Sequence, residues 1–589
     1  MATHKVIVAI DYGTTYTGVS YVSSSGTDLK DVKHICSWPG PSKGSEIVFK
    51  TPSRVAYPAD NPKLQTLKWG YEIEPGMIAY AWTKLLLDAG TALTEYDDST
   101  LENASQTGIL RLPPRSTAVD VVADYLSQIY QFILQTLVKQ ITEETLKITP
   151  IEFWFTVPAI WSDKAKDATR TAAQRAGFAC DPRRKEDKIF LISEPEAAAI
   201  TALEKYTTGD LANLVKVDDG VLICDCGGGT VDLTTFLVTQ ISPKLTFEEL
   251  CTGIGGKCGS SAIDREFYRL MSRRFGAAFD LLKPKSKGPG SYLMNKFEII
   301  KRGFGLSHQA MFELPLNMKL EKVDPRYYDE EERVVFLYDD DLRGMFNPVV
   351  DKIVSLVHQQ IEEVRRERGK DIVNRIILVG GFGDSEYLRQ TLERSFGQTG
   401  QISITVPDYP QAAIVQGAAL SGLRGLKPSS RKCRRYYGFQ CGLPFRPGID
   451  AEADSYIEKW SGAKYAGRRI IWMISKGETY TGNTTLNEDV MRDYSHPESL
   501  TYSFRLYACD KRDAPDKINQ DAYPVGEIIT DLSGVGLSQF KAKYFQGKRI
   551  YRLEYSVTVT IGAQEGVLKF EALAKGQTIG KTSVRFETT

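Results

Sequence analysis

Two short stretches carry the residue types that handle phosphate. Ile10-Asp-Tyr-Gly-Thr-Thr15 follows one apolar run and leads into another, Gly18-Val-Ser-Tyr-Val22. Later in the chain, Cys224-Asp-Cys-Gly-Gly-Gly-Thr230 follows Val221-Leu-Ile and leads into Leu233-Thr-Thr-Phe-Leu-Val238. A polyphosphate needs backbone N–H donors packed around it with no side chain in the way. A turn of glycine and threonine supplies them, and the hydroxyls add further donors. The aspartate heading each turn is placed to hold magnesium through its waters, because that ion keeps much of its hydration shell. Phosphoryl transfer to water then rests on positioning and charge neutralisation. One Asp-x-Gly between strands is a common hairpin turn. Two in matching strand contexts read as an internal repeat, a duplicated domain facing itself across a cleft. A third element, Leu378-Val-Gly-Gly-Phe-Gly-Asp-Ser385, ends a strand and opens a helix, and its glycine pair lets a flat ring approach the backbone.

The elements around these turns alternate between strand and helix patterns up to about residue 425, an α/β signature. Lys5-Val-Ile-Val-Ala-Ile10, Glu152-Phe-Trp-Phe-Thr-Val157, Val221-Leu-Ile-Cys224 and Arg375-Ile-Ile-Leu-Val379 read as strands. Val119, Val122, Leu126, Ile129, Ile133 and Leu137 fall three or four apart, with Thr117 and Asp120 as a capping box. A second helix runs from its cap at Ser162 to a stop at Gly177. Residues 425–435, rich in Lys and Arg, read as a basic linker. Beyond it, short alternating runs separated by turns, among them 469–475, 500–507, 551–559 and 566–572, predict a β-sandwich-like domain over 436–589.

The chain of 589 residues is 42% apolar and 25% charged, an ordinary globular balance that excludes a disordered or fibrous class. Basic and acidic side chains number 74 each, so no net charge draws it to nucleic acid or membrane. Nine scattered cysteines fit a reducing compartment better than a disulfide framework, and Cys224 and Cys226 read as small strand residues flanking Asp225 rather than as a metal clip. No signal-peptide core or membrane span is expected. The expected location is cytoplasmic, with the nucleus as the alternative.

The three motifs in this order resemble the actin-like ATPase superfamily. Thr156-Val-Pro-Ala-Ile-Trp through Gly177, and Ser193-Glu-Pro-Glu-Ala-Ala-Ala199, are similar to segments of its seventy-kilodalton heat-shock (DnaK-like) family. The resemblance implies a duplicated actin-like, ribonuclease H-like α/β ATPase domain of two lobes around a nucleotide cleft. Lobe I would span 1–212, completed by 407–424, and lobe II 213–406. It implies ATP or ADP with Mg2+ as cofactors, phosphate contacts from Gly13, Thr14, Thr15, Tyr16, Gly228, Gly229 and Thr230, and Asp11, Glu194 and Asp225 around the metal, mostly through water. Phe297-Glu-Ile-Ile-Lys-Arg302 is similar to the family's adenosine-clamping helix, pointing to Glu298, Lys301 and Arg302, with Gly380, Gly381 and Asp384 near base and ribose. Gly305 stands where the family has a serine. Trp82-Thr-Lys84-Leu-Leu resembles the surroundings of the catalytic lysine, which makes Lys84 its counterpart, so that Asp225, Glu194, Lys84 and Asp11 form the catalytic set. The family's acidic linker, helical lid and acidic tail find no counterpart, which resembles its atypical, lid-less members. The activity implied is slow ATP hydrolysis by a chaperone-type protein that binds polypeptide clients or partner proteins through its β domain, with nucleotide-exchange or co-chaperone partners. The alternatives are a nucleotide-regulated scaffold with little turnover and, third, a small-molecule kinase.

Overall fold

The internal repeat takes shape as two sheets built in the same order. In the first, β1 (Val6–Tyr12) and β2 (Tyr16–Ser23) form an antiparallel hairpin. β3 (Lys33–His34) and β4 (Lys50–Pro52) add to β2, while β5 (Ile151–Val157) and β6 (Lys188–Ser193) extend the other side in parallel. In the second, β7 (Gly220–Cys226) and β8 (Val231–Gln240) form the hairpin. β9 (Thr246–Glu249) and β10 (Ile254–Gly256) add to β8, and β11 (Val373–Val379) and β12 (Ser403–Thr405) run parallel on the other side. β1 and β7 are buried along their whole length, as central strands covered on both faces must be, which is why they read as unbroken apolar runs. The computed structural model describes residues 4–40, 48–88, 93–99, 101, 110–207, 214–306, 310–320, 322, 324–398, 400–481, 484–561, 569–574, 577–580 and 583–585. The expected lobe boundary at 212/213 and the start of the expected 566–572 strand lie outside them.

Helices cover the sheets by their apolar faces. Ala118–Ile141 begins with the capping box of Thr117 and Asp120, and Asp163–Arg175 with Ser162 accepting from the Ala165 N–H. The second helix ends before Gly177, whose φ of +106° takes the chain out of helical geometry. Together they bury Leu126, Ile129, Ala165 and Ala172 against Val8, Phe153 and Phe155 of the first sheet. Between the two sheets lies a second core: Ile7 and Ala9 of β1, Val221 and Ile223 of β7, and Ile377 and Val379 of β11 meet the helices Glu194–Thr207 and Pro410–Arg424. Those two helices touch backbone to backbone. A Cβ at Gly417 would stand 1.7 Å from the Ala197 carbonyl oxygen, and the Thr201 hydroxyl donates to the Ala413 carbonyl at 2.7 Å. No other residue fits at 417. Among the described residues no helix is long and apolar enough to cross a membrane, and none of the nine cysteines is in a disulfide.

Residues Met1–Pro428 and Ser429–Thr589 form separate units. The basic stretch expected to be a linker is taken up by them. Gly425, at φ +61°, ends the helix before it, and Leu426 is buried in the first unit's core. Arg431–Lys432 is a strand of the second unit, paired with Thr479–Tyr480. The second unit is otherwise two antiparallel sheets, one running through Ser455–Ile457, Lys464–Ile474, Tyr436–Pro444, Thr501–Cys509, Tyr523–Asp531 and Ser583–Arg585, the other centred on Lys548–Ile561. Both sheets feed one core, Tyr437, Ile474 and Leu506 from the first and Leu553, Tyr555 and Val557 from the second.

His34 ties the edge strand β3 to the inter-sheet helix. Its Nδ1 lies 2.8 Å from Ser20 Oγ and its Nε2 2.8 Å from the Gln416 amide nitrogen. The amide can only donate, so Nε2 accepts and Nδ1–H donates to Ser20. Burial pushes the imidazole down from 6.5 to about 4. As pH falls the unfolded chain takes up this proton first. The associated stability is therefore complete above pH 6.5 and is lost as pH falls from there towards 4. His34→Gln is predicted to flatten that part of the acid response, measured as urea midpoints at pH 7 and pH 4.5. Parallel pH slopes in the two proteins would contradict it.

Candidate functional site

β1 and β7 deliver Asp11 and Asp225 as their next-to-last residues. Each hairpin then closes in the same way. The Gly13 N–H donates to the Tyr16 carbonyl at 3.1 Å, and the Gly227 N–H to the Thr230 carbonyl at 2.9 Å. The two turns also interlock. A Cβ at Gly228 would stand 2.4 Å from Thr15 Oγ1, and one at Gly229 2.2 Å from Thr14 Oγ1. The glycines of the second turn are thus dictated by the threonines of the first. The third motif closes on them from β11: Gly380 has φ +84°, and a Cβ there would meet Asp225 Oδ1 at 2.4 Å.

Every site residue named from the sequence lines one cleft of about 310 Å³ between these turns. Gly305 is set back from it. There φ is +95° and a Cβ would lie 2.7 Å from the Tyr387 nitrogen, so backbone geometry demands glycine where the resemblance implied a serine.

The floor of the cleft is charged and buried. Lys84 sits on a helical turn, Thr83–Leu86, entered through Trp82 at φ +60°, an uncommon conformation for a bulky residue. A 2.9 Å hydrogen bond between the Thr83 and Tyr12 hydroxyls holds that turn to β1. Lys84 Nζ reaches Glu194 Oε1 at 2.6 Å and lies 5.5 Å from the Trp161 ring centroid. Glu194 is the first residue of its helix. Asp11 accepts from Lys50 Nζ at 2.5 Å on one oxygen and from the Thr156 hydroxyl at 2.8 Å on the other. Burial pushes the Asp11 carboxyl up, but Lys50 and Lys84 outweigh it and hold the group below its ordinary value. Burial raises Glu194 to about 7, with Lys84 opposing and Asp11 and Asp232 adding to the rise. Asp225 is pushed well up, by burial first and then by Glu194, Asp232 and Asp11. Burial would lower Lys84, yet Glu194 and Asp11 keep it above its usual value and protonated.

At the other end, Glu298 accepts from Arg302 Nε at 2.7 Å and pairs with Lys301 at 2.7 Å, and Lys301 also pairs with Asp264 at 2.8 Å. These i, i+3 and i, i+4 contacts fix the side chains before any ligand arrives. The Arg302 guanidinium lies 4.9 Å from the Tyr16 ring centroid, linking this helix to the first turn. Burial raises Asp384, with Arg302 opposing.

Sequence reasoning passed over two charged residues, Lys50 in the lining of the cleft and Asp232 buried beside Asp225. Asp232 stands opposite Asp225 in the hairpin register and accepts from the Ile160 N–H at 3.1 Å. Its place, two residues beyond Thr230, was a readable signal. Lys50 has no motif around it. It reaches Asp11 only through sheet register.

The residues present fit a hydrated divalent ion. Asp225 Oδ1 is buried without a hydrogen-bond partner, and Asp11 and Glu194 line the same cleft. Among the described residues no three His, Cys, Asp or Glu side chains close as a direct ligand shell, so an ion here would be held chiefly through its own water, as magnesium commonly is.

Twin hairpin turns interlocked over buried carboxylates, on two sheets of one order, define an α/β unit with a cleft between the turns. The model of the Hsp70 protein family matches residues 117–428, more than half of the chain and up to the end of the first unit. The chain belongs to the Hsp70 family, and its first unit has the actin-like ATPase fold which that family implies. It is 25% identical to the heat shock 70 kDa protein 12A of Mus musculus, across 91% of this chain and 86% of that one. It is 24% identical to the heat shock 70 kDa protein 12B of Homo sapiens, across 94% and 87%. The chaperone protein DnaK of Thermoplasma volcanium is 25% identical across 50% of this chain and 43% of its own.

Removing one partner of the buried Lys84–Glu194 pair leaves an uncompensated charge. Lys84→Met is predicted to cost about 3–5 kcal/mol. Lys84→Met combined with Glu194→Gln should recover most of that loss, read from urea unfolding. Equal stabilities of the single and double variants would refute the pairing.

Proposed function

We propose that the first unit binds ATP and ADP with magnesium and hydrolyses ATP slowly to ADP and phosphate. One observation carries this reading: two identically closed Gly-Thr turns interlock above buried carboxylates. In it, residues 1–212 with 407–424 act as one lobe and 213–406 as the other. Backbone N–H groups and hydroxyls of Gly13, Thr14, Thr15 and Tyr16 take one side of the polyphosphate, and Gly228, Gly229 and Thr230 the other. Glu298, Lys301, Arg302, Gly380, Gly381 and Asp384 hold base and ribose. Asp11, Glu194 and Asp225 hold magnesium through its waters. The ion, when bound, neutralises charge on the transferring phosphoryl group. Asp225 Oδ1, which lacks a partner within the protein, accepts a hydrogen bond from the attacking water, and Lys84 presents its ammonium from the same floor.

Residues 429–589 are proposed to be a β-sandwich that binds extended polypeptide by strand addition or in a pocket. The core shared by its two sheets supports the sandwich, and the relatives named as chaperones support the class of partner. Nucleotide-exchange or co-chaperone proteins would be the remaining partners. A second reading, nucleotide-dependent binding with little turnover, is favoured by the engagement of Asp11 by Lys50.

Two assays separate these readings. Saturating Mg-ATP at about a hundred times Kd should stabilise the chain by about 2.7 kcal/mol. Phosphate release should be slow in the wild type and about a hundredfold lower in Asp225→Ala. Stabilisation with no release selects the second reading. A melting temperature unmoved by Mg-ATP refutes nucleotide binding.

A further inference from the structure

The position of Lys50 follows from strand register. β1 pairs Asp11 with Gly18 of β2, and β2 pairs Gly18 with Lys50 of β4. The three residues stand in one row across the sheet, and the middle one has no side chain. A Cβ at Gly18 would lie 3.2 Å from Lys50 Cγ and 3.3 Å from its Cε. The lysine stem therefore lies over the glycine, and its ammonium meets Asp11 Oδ2 at 2.5 Å with the side chain only 13% exposed. The strand beneath is anchored. The Tyr71 hydroxyl donates to the Lys50 carbonyl at 3.3 Å. Phe49 packs between His34 at 5.4 Å and Tyr409 at 4.8 Å. Lys50 lines the same cleft as both turns.

We propose that Lys50 is a phosphate-contacting residue that shares Asp11 with the divalent cation, allowing this protein to bind nucleoside di- and triphosphates with little dependence on magnesium. The proposal rests on the nucleotide-binding reading and goes beyond it. A polyphosphate entering a cleft floored by carboxylates needs positive charge to offset both, and an ion usually brings it. Here a resident ammonium already stands at the floor. It has three donors on a flexible stem, and the Asp11 contact uses one of them. Another can turn to a phosphate oxygen as a charge-assisted bond. Lys50, like Lys84, is held by one carboxylate, and it adds a second ammonium to the lining of the cleft. Because Lys50 and the ion compete for Asp11, each weakens the other's hold by the same factor.

The test is calorimetric titration of ADP, in MgCl2 and in EDTA, into full-length wild type, Lys50→Met, Lys50→Arg and Gly18→Ala. Wild type should bind ADP in EDTA within about tenfold of its affinity in magnesium. Lys50→Met should lose about ten- to a hundredfold in EDTA, the worth of one charge-assisted bond. Its affinity in magnesium should hold or rise, which also shows that it is folded. Lys50→Arg should keep EDTA binding. Gly18→Ala retains every charge but crowds the stem, and should lose EDTA binding selectively. Wild type that binds only with magnesium overturns this proposal and leaves nucleotide binding intact. So does an unchanged ratio of the two affinities in both Lys50→Met and Gly18→Ala. Binding under neither condition overturns both readings.

Discussion

Four carboxylates, Asp11, Glu194, Asp225 and Asp232, are buried within mutual electrostatic reach, the first three lining one cleft with Lys50 and Lys84 as the ammonium groups facing them. Like charges at this depth repel strongly, and no fold keeps them together without compensation. Much of the first unit serves that compensation. β4 carries Lys50 across Gly18 to Asp11. The turn at Thr83–Leu86, entered through a strained Trp82 and held by Tyr12, carries Lys84 to Glu194. The excess of carboxylate that remains pushes Glu194 and Asp225 upward. A polar concentration of this kind is costly for stability alone, so its persistence points to a ligand that brings cationic charge.

The duplication makes such a floor constructible. Two hairpins of one design each end in an aspartate and a glycine turn, and the shared core of Glu194–Thr207 and Pro410–Arg424 holds the sheets so that the turns meet. The close approach at Gly417 and the interlock of Gly228 and Gly229 with Thr15 and Thr14 are two ends of the same constraint. Both require backbone to approach its neighbour more closely than any side chain would allow.

The parts of this arrangement that depend on local spacing were legible in the sequence. Asp11 and Asp225 are announced by the glycines that follow them, and the helix caps at Thr117 and Ser162 by their own chemistry. Placing Lys84 took a family resemblance, because a lysine on a four-residue turn carries no periodic signal of its own. Lys50 was invisible, since its contact with Asp11 is made through two successive strand registers. His34 is similar: its partner Gln416 lies almost four hundred residues on. The stretch 425–435 read as a linker because its composition is basic, but composition does not record that Leu426 is buried or that Arg431 and Lys432 find a partner strand.

Joint use of the two turns is the centre of this account, and amide hydrogen exchange measures it directly. On addition of Mg-ADP, segments spanning residues 11–18 and 225–231 should gain protection together and by similar factors. Protection confined to one turn, or absent from both while the nucleotide is bound, would contradict a cleft in which the two hold one phosphate chain between them.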